Sequence, residues 1–89
     1  MPIDIAHALE KIGGGTLLKF DGYEPAAPGN YASVVVLVER DGYHFHPFVV
    51  WLAVDSESDQ PHFVSGHYFE NETDARKYMK RGKKLQNSA

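Results

Sequence analysis

The chain has 89 residues, of which 43% are hydrophobic and 24% are charged, so its size and composition are those of one globular domain. It contains no cysteine, which excludes a disulfide framework, a thiolate zinc site and a cysteine nucleophile. The net charge of −3 combines an acidic body with a basic end: residues 1–75 hold twelve acidic and three basic residues, a net −9, whereas the last 14 residues hold six basic residues and no acidic one.

We expect neither a targeting segment nor a membrane-spanning segment in this chain. Its longest apolar run, Phe48 to Val54, has seven residues, whereas a transmembrane helix needs about 20. The first residues lack the basic segment and apolar stretch of a secretory signal. We therefore expect a cytoplasmic protein that does not enter a membrane.

The first third of the chain predicts a helix, a short strand and a long loop. Apolar residues recur at helical spacing over residues 4–13, with Asp4 as the N-cap, and Gly13-Gly14-Gly15 ends the pattern. Segment 16–20 is apolar and partly β-branched, which is typical of a strand. Segment 21–30 contains two prolines and two glycines, which is typical of a loop.

The strongest pattern is a hairpin of two β-rich runs, 31–40 and 43–54, around the turn dipeptide Asp41-Gly42. A two-residue turn pairs Arg40 with Tyr43 and places alternate residues on common faces. The first face is predicted to hold Val34, Val36, Val38, Phe45, Val49 and Trp51. The second face is predicted to hold Val35, Leu37, Phe48, Val50 and Leu52, followed near the turn by Glu39, His44 and His46. Both faces are largely apolar away from the turn, so the hairpin should be central in its sheet.

A proline and a glycine are expected to interrupt regular strand pairing in the second half of the sheet. Pro47 cannot donate a ladder hydrogen bond, so we expect a bulge or an edge there. Residues 55–59 form an acidic loop, and segment 61–69 predicts a further strand. Within that strand, Gly66 is predicted to mark a bulge or a close backbone contact.

The last segment predicts a second helix. Asn71 can act as its N-cap with Asp74 at position N3, and Gly82 is predicted to end it. Its apolar stripe comprises Ala75, Tyr78 and Met79. The order α-β-β-β-β-α predicts an α+β fold, a single antiparallel sheet of three to four strands with the terminal helices packed on one face. Residues 1–86 would form one domain and 87–89 a frayed tail.

The hairpin tip holds the candidate metal ligands. His44 and His46 share a strand face in this register, with Glu39 opposite His44, and two imidazoles with a carboxylate can bind zinc, iron or copper. The alternative is a polar tip with ordinary exposed histidines, and because the ligand set is incomplete we expect no bound metal and no cofactor. The same three residues then become candidates for contact with a partner.

For each candidate enzyme motif in the sequence, a non-catalytic explanation is stronger than the catalytic one. Ser65 and His67 share a strand face, but no acid is identified beside them and no nucleophile elbow is present. The glycines 13–15 follow a helix and precede a strand, the reverse of a phosphate-binding loop, and are interpreted as a helix stop. We therefore expect a protein that is not an enzyme.

The basic end is the candidate for contact with nucleic acid or with an acidic protein. It holds Arg76, Lys77, Lys80, Arg81, Lys83 and Lys84. The alternative is a solvated helix face whose cations complement the helix dipole. The order of elements is similar to that of the double-stranded-RNA-binding domain, which contacts phosphates near the start of its last helix. Here that start reads Asn71-Glu72-Thr73-Asp74, which would repel phosphate.

Three segments carry a family resemblance: His46 to Trp51, Ser65 to Phe69 and Asp74 to Tyr78. Spread over about a third of the chain, they resemble small uncharacterised accessory proteins of phages and plasmids. The resemblance implies a protein that acts by binding, for example an inhibitor of a host defence complex such as an anti-CRISPR protein.

The sequence as a whole favours a small non-enzymatic interaction domain that binds a protein partner. Its acidic body and basic end offer two electrostatically distinct docking surfaces. Two alternatives stay open: a nucleic-acid-binding module that uses the basic helix, and a small metal-binding protein that uses the histidines at the hairpin tip.

Overall fold

The computed structural model describes residues 3–55 and 61–88, and for residues 81–88 the backbone alone. The elements in chain order are α1 (Ile5–Lys11), β1 (Gly15–Glu24), β2 (Ala32–Arg40), β3 (Phe48–Asp55), β4 (His62–Phe69) and α2 (Glu72–Ser88). The strands form one antiparallel sheet in the order β1-β2-β3-β4. The fold is therefore α+β, and the predicted order of elements is confirmed.

The two helices cover opposite faces of the sheet, so the prediction that both pack on one face is wrong. On the face covered by α1, the buried cluster comprises Ile3, Ile5, Leu9, Ala32, Val34, Val36, Val38, Val49, Trp51 and Ala53. On the face covered by α2, it comprises Leu37, Val50, Ala75 and Met79. The reason lies in β2 and β3, whose alternate residues are apolar on both sides, so that each side needs a cover.

The hairpin register differs from the predicted one by four residues. Val36 lies opposite Trp51 and Val38 opposite Val49, and residues 41–47 form a loop rather than a two-residue turn. In the predicted register Pro47 would have occupied the middle of a central strand, opposite Val36, where it could not donate to the ladder. In the observed register it lies at the end of the ladder, where its carbonyl accepts a hydrogen bond from the Arg40 N–H at 2.8 Å.

The shift of the register by an even number of residues leaves the predicted faces of the strand residues unchanged. It does remove the residues nearest the turn from the strands. Phe45, predicted to lie in the core, is 82% exposed in the loop, and His44 and His46 lie in the loop with it.

The first helix begins and ends as predicted, within two residues. The Asp4 side chain accepts a hydrogen bond from the His7 N–H at 3.1 Å, and Gly13 and Gly14 adopt φ values of 95° and 105° beyond the helix end. Strand β1 continues to Glu24, four residues further than predicted, through two irregularities in its pairing with β2. The predicted loop 21–30 is correspondingly shorter.

The predicted irregularity at Gly66 and the predicted cap of α2 are both confirmed. The pairing of β3 with β4 shifts by one residue beside Trp51, where Ser65 and Gly66 form a bulge. The Asn71 side chain accepts from the Asp74 N–H at 2.9 Å and donates to the Asp74 carboxylate at 3.2 Å.

The second helix continues through Gly82 to Ser88, so its predicted end at Gly82 is wrong. An interior glycine costs a helix only about 1 kcal/mol relative to alanine, and good helix formers surround this one. The predicted frayed tail overlaps the last two helical residues, and Ala89 lies outside the described residues, as do residues 56–59 of the predicted acidic loop. Within the described ranges, neither helix is both long and apolar enough to cross a bilayer.

Candidate functional site

The loop that joins β2 and β3, residues 41–47, is the most prominent polar and aromatic feature at one end of the sheet. Asp41 and Gly42 form a turn at its start, with Gly42 at a φ of 78°, but not the predicted two-residue hairpin turn. The loop is anchored at its base, because the Asp41 N–H lies 3.4 Å from the carbonyl of Gly14, in the glycine turn after α1. Residues 41–46 are all exposed.

A stack of one guanidinium and two tyrosine rings holds the loop against the sheet. The guanidinium carbon of Arg40 lies 3.7 Å from the ring centroid of Tyr43 in the loop and 4.7 Å from that of Tyr68 in β4. The same side chain donates from Nη2 to the carbonyl oxygen of His46 at 2.9 Å. Its Nε atom is buried with no acceptor among the described residues, so the His46 carbonyl and the two rings together stabilise this charge.

Three aromatic rings remain open to solvent around this stack. Phe45 is 82% exposed, Tyr68 51% and Tyr43 49%. With Arg40, these three residues form what we call the loop surface. Exposed clusters of large aromatic residues are uncommon on soluble domains and often mark a contact site.

Backbone strain occurs in the same loop. His46 has a φ of 52°, which an L-residue with a large side chain rarely adopts. Such conformations cost roughly 1–3 kcal/mol and are concentrated at functional sites. His46 Nε2 also lies 3.8 Å from a carboxylate oxygen of Glu70, so a protonated His46 forms an ion pair across the base of the loop.

The three predicted metal ligands are not brought together by the observed register. Glu39 lies opposite Phe48 in the ladder, on the α2 side of the sheet, whereas His44 and His46 lie in the loop. Among residues 3–55 and 61–88, no three histidine or carboxylate side chains form a group that could hold a metal ion. Glu39, His44 and His46 remain exposed at the loop end of the sheet, where a partner could contact them.

The basic candidates lie along α2, on the face of the sheet opposite to Tyr68. Arg76, Lys77 and Lys80 are exposed, and Arg76 forms an ion pair with Glu72 one helical turn earlier. The side chains of Arg81, Lys83 and Lys84 lie outside the described part of the chain. The helix begins beside the loop end, after β4, and covers the face of the sheet opposite to Arg40 and Tyr68.

A shallow cleft of about 160 Å³ opens beside α2 on its own face of the sheet. It is lined by Val35, Val50, Trp51, Leu52, Ser65, His67, Tyr78 and Met79. The His67 ring lies 4.4 Å from the Tyr78 ring, and Ser65, in the bulge, has a φ of 56°. The cleft brings Ser65 and His67 to one surface, as the sequence predicts.

Sequence reasoning missed Arg40, Tyr43 and Tyr68 as site residues and placed Phe45 in the core. The residue that could have corrected this is Pro47, because a central strand cannot contain it and the preceding aromatics must then lie in a loop. Comparison with known protein families, with curated proteins and with solved structures finds no match to this chain.

Proposed function

We propose that this domain is a non-enzymatic interaction module that binds a protein partner through the loop surface. The observation that carries the proposal is that Tyr43, Phe45 and Tyr68 expose rings by about half or more at the loop end of the sheet, with two of these rings, Tyr43 and Tyr68, in contact with the guanidinium of Arg40. Tyrosine and arginine are among the residues that contribute most to the affinity of protein interfaces.

The loop surface is also pre-ordered for binding. Arg40 contacts two rings and the His46 carbonyl, so little freedom of its long side chain remains to be lost on association. Ordering one such side chain at an interface costs about 0.5–1.5 kcal/mol, and a stack formed in advance avoids that cost. The strained φ of His46 fits a loop whose shape is selected for contact rather than for stability alone.

The resemblance to accessory proteins of phages and plasmids suggests the setting of this interaction. In that setting the partner is a component of a host defence complex, and the domain inhibits it as an anti-CRISPR protein does. The division between an acidic body and a basic helix supports an electrostatically selective partner of this kind.

A capture experiment with matched variants tests the proposal. The full chain, immobilised through its N-terminus, is exposed to lysate of cells that naturally make it, and the retained proteins are identified by mass spectrometry. Phe45→Ser is compared with Phe20→Ser, since Phe20 is a 52% exposed aromatic in β1, outside the loop. We expect a specific partner to be lost with Phe45→Ser and kept with Phe20→Ser. Equal retention by both variants contradicts the proposal.

A second candidate function, nucleic-acid binding, is favoured by the unbroken course of α2. At about 100° per residue, the positions of its six basic residues fall within about 160° of the helix circumference. These positions are Arg76, Lys77, Lys80, Arg81, Lys83 and Lys84. Such a stripe can follow a phosphate backbone, although the acidic body opposes a close approach.

A further inference from the structure

The loop surface is bordered by carboxylates. Asp41 is an exposed residue of the loop itself, and Glu70, one residue beyond β4, has a 76% exposed side chain with a carboxylate oxygen 3.8 Å from His46 Nε2. Glu39 is exposed at the same end of the sheet but on the α2 side, opposite to Tyr68. Arg40, the cation of the loop surface, lies against two tyrosine rings. A partner approaching the loop end therefore meets aromatic rings and negative charge.

This combination of groups selects for positive charge. The face of an aromatic ring attracts a cation electrostatically, and a nearby carboxylate adds to the attraction. Phe45 presents its ring with no polar group of its own, and at 82% exposure it is the most accessible ring of the surface. Phosphate, by contrast, is repelled by the carboxylates of Asp41 and Glu70 and by the net −9 of residues 1–75.

We propose that the loop surface binds an arginine-containing basic segment of the protein partner. The inference rests on the proposed function and specifies the chemistry of the partner. Arginine fits better than lysine, because its planar guanidinium stacks on a ring while its N–H groups pair with a carboxylate. Arg40 already shows this geometry within the chain, stacked against Tyr43 and Tyr68.

The role of the acidic body is to accelerate the encounter. A net −9 over residues 1–75 creates a long-range field that draws a basic segment toward the domain. The field is screened within roughly 8 Å at physiological ionic strength, so the association rate should fall as salt is added. Lys77 lies beside Phe69 at the loop end, but α2 covers the face of the sheet opposite to Tyr68, so this approach stays open.

The test uses an acetylated and amidated hexapeptide of alternating arginine and glycine, titrated into the ¹⁵N-labelled full chain. Its counterparts replace each arginine with lysine or with citrulline, which has nearly the shape of arginine without its charge. We expect saturable chemical-shift changes confined to the amides of residues 39–46 and 68–70. The dissociation constant of the arginine peptide should be about 1 mM or tighter. The lysine peptide should bind more weakly than the arginine peptide, and the citrulline peptide should bind most weakly.

Two variants and their controls locate the binding. Phe45→Ala and Glu70→Gln should each weaken binding of the arginine peptide by roughly 2- to 5-fold. Phe20→Ala and Glu24→Gln, which change an exposed ring and an exposed carboxylate of β1, should leave it unchanged. Amide spectra unchanged away from each substitution verify that the fold is intact.

The outcomes separate this inference from the proposed function. Equal binding of the citrulline peptide, or shifts spread outside the loop end, overturns the arginine inference. If capture of the partner depends on Phe45 but the arginine peptide does not bind, the arginine inference alone is wrong. If the partner is captured equally by Phe45→Ser and Phe20→Ser, the proposed function is wrong and the inference loses its basis.

Discussion

Trp51 meets the backbone of β4 where Ser65 and Gly66 form a bulge, and this contact decides which residue can occupy position 66. Trp51 stacks on Phe63 at 4.6 Å between ring centroids and meets the edge of Tyr68 at 6.4 Å. A Cβ atom on Gly66 would lie 2.6 Å from the indole Nε1 and 3.0 Å from the Tyr68 hydroxyl. The ring is held on both sides, so it cannot move aside freely.

We therefore expect Gly66→Ala to lower the free energy of unfolding by about 1–3 kcal/mol, the usual penalty of overpacking. Trp51→Phe removes the indole nitrogen, so the alanine substitution should be less harmful in that background by at least about 0.5 kcal/mol. Urea unfolding of the four proteins in the cycle measures both values. Equal losses in the two backgrounds would show that the contact with Trp51 is not the cause.

Residues whose partners lie close in the sequence were predictable, and residues whose partners lie far away were not. The Asp4 and Asn71 caps depend on neighbours three residues along the chain, and both were predicted. The stacking of Arg40 on Tyr68 joins residues 28 positions apart, and it depends on the register of two strand pairs. No local pattern marks such a contact.

At the scale of elements, the hairpin illustrates how one residue can override a strong local preference. Asp41-Gly42 does form a turn, but pairing resumes only at Pro47, whose carbonyl is used and whose missing N–H falls outside the ladder. The sequence predicted the faces of residues 34–38 and 48–52 correctly, because these depend on alternation, but it wrongly included residues 43–46 in the second strand. It did not predict the length of the loop, because that length depends on two opposing terms. These are the energetic cost of Pro47 inside a central strand and the preference of Asp41-Gly42 for a two-residue turn.

The cap of α2 offers a test at the same scale. Asn71 satisfies the N–H of Asp74 at 2.9 Å, and the Asp74 carboxylate accepts from the Asn71 amide in return. Asn71→Ala should lower the free energy of unfolding by about 1 kcal/mol, whereas Asn71→Ser, which keeps a capping oxygen, should lower it by only a few tenths. Thermal or urea unfolding measures the difference. A loss as large for Asn71→Ser would refute a capping role.

For the molecule as a whole, the division of charge was readable from the sequence, but its arrangement in space was not. The acidic body and the six basic residues of the last 14 positions are found by counting charged residues along the chain. Their separation depends on α2, which begins beside the loop end, packs Ala75 and Met79 on the sheet and continues to Ser88. The loop surface and the basic helix can thus be tested independently.

The last prediction distinguishes the two functions by their salt dependence. Each phosphate contact releases counterions, so the logarithm of a nucleic-acid affinity falls with the logarithm of salt by about 0.9 per contact on duplex DNA. If the protein partner is the main ligand, duplex DNA and RNA should bind more weakly than micromolar at about 0.15 M salt, because the −9 body opposes contact. Residual binding at low salt should come from α2, so Lys80→Gln should reduce the slope of this salt dependence by roughly one unit. Lys19 is an exposed cation of β1, so Lys19→Gln should leave the slope unchanged. Fluorescence anisotropy at several salt concentrations measures these slopes. Micromolar or tighter binding at about 0.15 M salt, weakened by Lys80→Gln and not by Lys19→Gln, would instead establish the basic stripe of α2 as the principal binding surface.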